Sequence, residues 1–379
     1  MRKLDRPQGF PVVGARAAWM VAVALLLIGG VVGGLLRAGV AVPVPDARAW
    51  PGHAVLSHAF LMVCGFLGTV IGIERAVAAK ARLAFAAPIA SASAGVAALN
   101  GAPTLAAWLV VLAALSFVMV NASMLLRQKV AHIGVLLVGA AAWFVGALLH
   151  AWGGSAHGTG AVPWWFSFLI LTIAGERLEM TRLMRRRAGA AASLYVVLGG
   201  LLLGSAAFSI SAAAGAIVFG GSLVALAAWL MCFDIARRTV ASHGVSRYMA
   251  VCLLAGYAWL GIAGVAWMAA AVGHPLRDLA LHALGMGFVF SMMLAHAPVV
   301  LPALTRVKVQ FGRHFYVPLA LLHASLAVRA LASLSPEFLR AGALGNAVAM
   351  AAFLLTLLAS SLAWRSKHRS GGHAVRAHD

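Results

Sequence analysis

The sequence predicts an all-α, polytopic membrane protein. Hydrophobic residues make up 63% of the 379 residues, whereas they make up roughly half of a soluble domain. Only nine residues are acidic and 10% are charged, which is too little polar material to cover a water-facing surface. The apolar residues form continuous runs rather than an alternating pattern, and continuous runs favour membrane helices over a membrane barrel.

A hydrocarbon core requires about 20 apolar residues for each helical span. The chain has about twelve such runs joined by short connectors, so we expect one transmembrane domain over residues 1–364. A basic tail, residues 365–379, follows it and is expected to be disordered. The runs are approximately 17–37, 55–79, 83–99, 104–126, 131–151, 163–181, 191–210, 213–235, 248–272, 278–304, 316–334 and 341–364.

The formal charge of +20 follows the topology of these spans. If both termini are cytoplasmic, 24 of the 29 Lys and Arg residues lie in inside segments, which is the positive-inside bias of membrane proteins. We therefore expect a multi-pass protein of the cell inner membrane whose basic loops contact lipid headgroups. This distribution argues against a nucleic-acid partner.

Three spans share short motifs. The second and tenth begin with His-Ala-x-x-Met, at His58 and His282, while the second and sixth end in Glu-Arg, at Glu74 and Glu176. Each is the second helix of a group of four. This spacing indicates three pseudo-equivalent four-helix groups.

Ionisable residues inside a membrane are costly and mark candidate functional sites. His58 and His282 are predicted near the external ends of two inward-running helices, at matching depth. Two neutral imidazoles so placed could bind a haem iron from its two faces, and Gly65, Gly285 and Gly287 would leave room for the macrocycle. In the alternative interpretation, both are interfacial histidines bonded to a carbonyl or to water.

A second candidate metal site lies deeper. His296 is about 21 Å beyond His282 along a helix, so one metal cannot take both. Pro298 and Pro302 each remove a helical hydrogen bond, which predicts a kink beside His296. His323 in the eleventh span could approach His296 and form a second site with it.

Two Glu-Arg pairs, Glu74–Arg75 and Glu176–Arg177, lie at the inner ends of spans two and six. Adjacent residues of a helix point apart. We therefore expect cross-helix salt bridges, such as Glu74–Arg177 or Glu176–Arg75, because acidic groups in membranes are usually paired. Proton uptake through the carboxylates is the alternative.

The second and tenth spans resemble the NnrS family of haem- and copper-containing membrane proteins, which is linked to nitric oxide and denitrification. The family's His-Ala-His-Glu-Met-x-x-Gly-Phe stretch corresponds to residues 58–66, and its His-Ala-Leu-Thr-x-Gly segment to residues 282–287. The resemblance implies non-covalent b-type haem with His58 and His282 as its ligands, and it allows copper. The family's second histidine and its glutamate are Phe60 and Leu61 here, which weakens the case for a second metal.

Twelve helices in three groups are also similar to subunit I of haem-copper oxidases, whose second and tenth helices supply low-spin haem ligands. The copper histidines of those enzymes have no counterpart in the sequence, so we do not expect dioxygen reduction. The three cysteines form no Cys-x-x-Cys pair, which excludes covalent haem attachment through such a motif.

The sequence is also compatible with two other functions. A secondary transporter or a metal or solute permease would use the tenth helix, His296 and the Glu-Arg pairs. A non-catalytic assembly factor would contact respiratory-chain proteins and keep its histidines packed.

Overall fold

The computed structural model describes residues 13–43, 49–153, 160–180, 189–305 and 308–374. These residues form helices and connecting turns and no β-strand. Contacts divide the chain into two compact units, Met1–Glu179 (unit 1) and Met180–Asp379 (unit 2). The boundary falls inside the second of the three predicted four-helix groups.

The helices of unit 1 include one interrupted span. His58–Phe60 (α3) continues into a π-helix, Leu61–Leu67, and then into Gly68–Ala79 (α4). The other α-helices are α1 (Val13–Arg37), α2 (Trp50–Leu56), α5 (Ala86–Leu99), α6 (Pro103–Gln128), α7 (Ala131–Gly153) and α8 (Ala161–Met180), whose last residue belongs to unit 2.

Unit 2 contains a second span of the same kind. Arg277–His282 (α13) continues into a π-helix, Ala283–Phe290, and then into Ser291–Thr305 (α14). The other α-helices are α9 (Ala190–Ala207), α10 (Ala212–Phe233), α11 (Ala236–Thr239), α12 (Gly244–Ala271), α15 (Tyr316–Ala330) and α16 (Pro336–Ala374).

Ten helices of the described residues are long and apolar enough to cross a membrane. Two of the twelve predicted spans are helical but fall outside this set. α15 has only 15 residues and would extend about 22 Å, less than the hydrocarbon thickness. α8 carries Glu176, Arg177 and Glu179 in its last turns, and most of its residues are buried by protein. A helix enclosed by protein needs less apolar surface than one in lipid.

The tail expected to be disordered is helical in part. α16 continues without interruption to Ala374, and residues 375–379 lie outside the described residues. α14 contains both Pro298 and Pro302 and continues to Thr305. The helix departs from α geometry earlier, between Ala283 and Phe290.

A glycine face on α1 allows the His58 span to approach closely. A methyl group at Gly30 would lie 2.6 Å from the sulfur of Met62, and one at Gly34 would lie 2.7 Å from Cε1 of His58. At Gly33 it would overlap the carbonyl oxygen of Ala54. Small residues are the usual means by which membrane helices bring their backbones together.

Gly33→Ala tests this contact. We expect a loss of about 1–3 kcal/mol in the free energy of unfolding, because the added methyl group overpacks the helix contact. Gly134→Ala is the matched control, since nothing lies within 4 Å of its methyl position and alanine is the better helix former. Thermal unfolding in detergent measures both. Equal melting temperatures would show that α1 and α2 do not pack through Gly33.

Candidate functional site

His58 begins α3 and lies against α1. Its Nδ1 is 2.7 Å from the carbonyl oxygen of Gly30, and its ring occupies the space above Gly34. A carbonyl oxygen only accepts hydrogen bonds, so Nδ1 carries the proton and donates it. The lone pair of the neutral ring is therefore on Nε2.

His282 ends α13 in unit 2 and has the same tautomer. Its Nδ1 is 2.9 Å from the carbonyl oxygen of Asp278 and 3.2 Å from Oδ1 of the same residue. Both atoms are acceptors when the carboxyl group is ionised. Nδ1 thus donates, and Nε2 has the lone pair. Histidines that bind metals usually have this arrangement, in which the second nitrogen donates to a carbonyl or a carboxylate.

Asp278 is fixed by a bidentate ion pair. Arg329 of α15 donates from Nε to Oδ2 over 2.8 Å and from Nη2 to Oδ1 over 2.9 Å. The side chain of Arg329 is largely buried, whereas about a third of Asp278 is exposed. Two parallel charge-assisted bonds fix the orientation of the carboxylate, so Arg329 orients the group that orients His282. Sequence reasoning missed this pair, because 51 residues separate its members.

A π-helix begins soon after each of the two histidines. Leu61–Leu67 begins three residues after His58, and Ala283–Phe290 begins at the residue after His282. The shared motif also extends further than the opening, since Phe66 and Phe290 both lie eight residues after the histidine. π-helical turns are rare and occur frequently at functional sites. Their recurrence in both units marks each of these two segments as a candidate site. The shared motif was the only sequence signal for them.

Hydroxyl groups stabilise the first π-helix. Ser91 of α5 donates to the carbonyl oxygen of Cys64 over 2.5 Å, and Thr69 donates to that of Gly65 over 2.6 Å. A π-helix leaves carbonyls without their usual α-helical donors, and buried carbonyls need a partner. Ser91 and Thr69 therefore stabilise the departure from α geometry beside His58.

The glycines expected to make room for a macrocycle face protein at two of the three positions. A methyl group at Gly65 would lie 3.6 Å from the Cα atom of Gly95. At Gly287 it would lie 2.5 Å from Cβ of Trp259. Both glycines allow close helix packing. The sequence around each glycine does not predict this packing, because the contacting residue lies on another helix.

The deeper histidines have different environments. Nδ1 of His296 is 2.6 Å from the carbonyl oxygen of Met292, one turn earlier in the same helix. Nδ1 of His323 accepts a hydrogen bond of 2.9 Å from the indole of Trp259. An indole N–H only donates, so the lone pair of His323 is on Nδ1 and is already used, while Nε2 carries the proton. His323 in this orientation has no lone pair for a metal.

The expected cross-helix ion pair between Arg75 and Glu176 is present. Nη2 of Arg75 in α4 is 3.4 Å from Oε1 of Glu176 in α8. Arg75 and Arg177 are both buried, whereas Glu74 is half-buried. The 3.4 Å separation is long for a charge-assisted hydrogen bond, so the pair contributes mainly by neutralising two charges. Its position joins α4 and α8 within unit 1.

Within the residues that the structure describes, no three His, Cys, Asp or Glu side chains cluster in a way that could hold a metal ion. Haem iron does not require such a cluster, since its porphyrin supplies four ligands and the protein supplies one or two. The donor set at His58 and His282, with Nδ1 bonded and the lone pair on Nε2, is chemically suited to axial ligation.

A comparison with known protein families gives a match over most of the chain. Residues 16–362 match a family model whose description is "Domain of unknown function (DUF8744)". No curated protein and no solved structure matches the chain.

Removal of Asp278 tests the ion pair. Asp278→Leu would leave the guanidinium of Arg329 buried without its carboxylate, and we expect a loss of about 3 kcal/mol. Asp278→Leu combined with Arg329→Met should recover most of this loss, because no charge then stays buried. Arg340→Met, at an exposed arginine, is the control and should change little. Melting temperatures in detergent measure all four proteins. A double variant as unstable as Asp278→Leu alone would contradict the pairing.

Proposed function

The chain belongs to the family described as a domain of unknown function (DUF8744), and we propose that it is an integral membrane haem-binding protein. In this proposal His58 and His282 are the axial ligands of a non-covalent b-type haem. The resemblance of residues 58–66 and 282–287 to the NnrS family supports this role. It also supports a link to nitric oxide, to denitrification or to copper-dependent respiration.

One observation carries the proposal. Both histidines donate Nδ1–H to an acceptor in their own unit, which places the lone pair of the neutral ring on Nε2. A π-helix also begins within three residues of each. A histidine that only satisfied its own hydrogen bonds would not need a matching backbone distortion in the second unit. A pair of ligands that must hold one orientation would be stabilised by it.

The residues around the two histidines give them different ligand strengths. Gly30 offers His58 a neutral carbonyl, while Asp278 offers His282 a carboxylate that is itself bonded to Arg329. A carboxylate partner makes an imidazole the stronger base. His282 is therefore the stronger electron donor of the two, and bound haem would supply the redox or gas-binding chemistry that these ligands tune.

The proposed topology adds two spans and an orientation to the ten candidate spans. We propose twelve spans, with α8 and α15 among them, and both termini in the cytoplasm of a cell with an inner membrane. The positive-inside bias of the loops supports this orientation. Membrane lipids and respiratory-chain proteins are the expected partners. The three four-helix groups stay a prediction that depends on the motifs of spans two, six and ten.

The haem proposal predicts an absorbance spectrum. Detergent-purified protein, expressed with adequate haem supply, should show a Soret band and the sharp reduced α-band of six-coordinate haem. His58→Ala and His282→Ala should each abolish the six-coordinate spectrum, because each removes an axial ligand. The haem-to-protein ratio from a pyridine haemochrome assay shows whether one haem takes both ligands.

Two histidines serve as matched controls. His53 also places Nδ1 near a carbonyl oxygen, that of Leu99 at 3.1 Å, and His274 is exposed near the start of α13. His53→Ala and His274→Ala should keep the wild-type spectrum. A colourless preparation that also fails to bind added haemin would contradict the proposal and favour the alternative function, a secondary transporter or permease.

The topology is tested by accessibility of single cysteines. In a variant without native cysteines, Ala49→Cys should react with a membrane-impermeant maleimide in intact cells, because it lies before α2 on the predicted external side. Ala241→Cys lies on the predicted cytoplasmic side and should react only after permeabilisation. Both positions are exposed. The reverse labelling pattern would invert the orientation.

A further inference from the structure

A cluster of aromatic side chains lies at the end of unit 1 that contains His58. The ring of His150, near the end of α7, is 5.3 Å from that of Phe60 and 5.2 Å from that of Trp165. Phe60 and Trp165 are 6.1 Å apart. Trp164 is next to Trp165 in α8, and its Cβ atom also lies against Gly146 of α7, 2.9 Å from where a methyl group would be. The cluster thus joins α3, α7 and α8.

Three nitrogen atoms of this cluster are buried and have no hydrogen-bond partner among the described residues. They are Nδ1 of His150, Nε1 of Trp164 and Nε1 of Trp165. Trp165 as a whole is only 3% exposed. Buried polar atoms in native proteins almost always have a partner. The rings of His150 and Trp165 are 5.2 Å apart and Trp164 is the adjacent residue of α8, so three such atoms in this region point to a bound acceptor.

The chemistry of the three atoms restricts that acceptor. The two indole groups can only donate, and an imidazole can donate from either nitrogen. A molecule that satisfies them must therefore accept more than one hydrogen bond. An ionised carboxylate has about four lone-pair positions, and its hydrogen bonds are stronger than those of a neutral carbonyl.

We propose that His150, Trp164 and Trp165 form a binding site for a carboxylate group. The carboxylate has two chemical sources. A small free carboxylate is one. A propionate of haem is the other, because Phe60 of the cluster lies only two residues after His58 in α3. This second source rests on the proposed function. The donor set is the same in both cases.

The first arm of the test uses acetate and the full-length protein in detergent without haem. Saturation-transfer NMR of the acetate methyl group, at constant ionic strength maintained with chloride, should show saturable binding. Trp165→Phe, Trp164→Phe and His150→Phe should each weaken it about tenfold or more, the size expected for one hydrogen bond to a charged group. Trp152→Phe is the control, because Trp152 is 73% exposed at the same end of α7, and it should bind as wild type does.

The second arm compares haemin with its dimethyl ester, which keeps the macrocycle and the iron but has no carboxylate. Wild-type protein should bind haemin at least about tenfold more tightly than the ester. The three cluster variants should lose this preference and keep the axial-ligand spectrum. If Trp165→Phe does not fold, Trp164→Phe decides, because Trp164 is only half-buried.

The two arms separate the two proposals. Acetate binding that depends on the cluster supports the carboxylate site even if haemin does not bind and the haem proposal fails. A haemin preference that depends on the cluster, without acetate binding, supports the site and identifies the propionate as its ligand. If acetate does not bind and haemin and its ester bind equally or not at all, the carboxylate site is overturned. The site is overturned as well if neither acetate binding nor the haemin preference changes in any of the three variants.

Discussion

The constraint on which this structure depends is that a backbone in hydrocarbon must satisfy its own polar groups. It explains why the described residues form helices, and why departures from α geometry need compensation. The π-helix after His58 has such compensation, because Ser91 and Thr69 donate to the carbonyls of Cys64 and Gly65. Against this background, polar atoms without partners carry information. The nitrogens of His150, Trp164 and Trp165 that have no partner among the described residues are therefore the feature that points most directly to a ligand.

His58 and His282 both donate a hydrogen bond from Nδ1, but different interactions hold their acceptors in place. The partner of His58 is a carbonyl of α1, reached because Gly30 and Gly34 let the helices approach. The partner of His282 is Asp278, which Arg329 orients. Helix packing fixes one ring and an ion pair fixes the other. The first support depends on small residues and is insensitive to salt, whereas the second depends on charge.

Several other candidate residues have structural roles and are therefore not available to bind a ligand. Gly65 and Gly287 are in contact with Gly95 and Trp259, and the lone pair of His323 is used by Trp259. The Arg75–Glu176 pair neutralises charge between α4 and α8. Because these groups already have structural partners, the candidates for ligand binding are the imidazoles of His58 and His282 and the cluster of donors around His150.

The sequence by itself determined the helical class and the positions of most spans, and it offered Arg75–Glu176 as one of two examples of a cross-helix ion pair. Runs of apolar residues and adjacent opposite charges are local properties, and lipid permits few structures for them. Only the tertiary structure decided the tautomers of His58, His282 and His323, the π-helices, the filling of Gly65 and Gly287, and the Asp278–Arg329 pair. Each depends on an atom brought from another helix or on a backbone carbonyl. A hydrogen bond of that kind has no signature in the local sequence, because it is set by where helices distant in the chain come into contact.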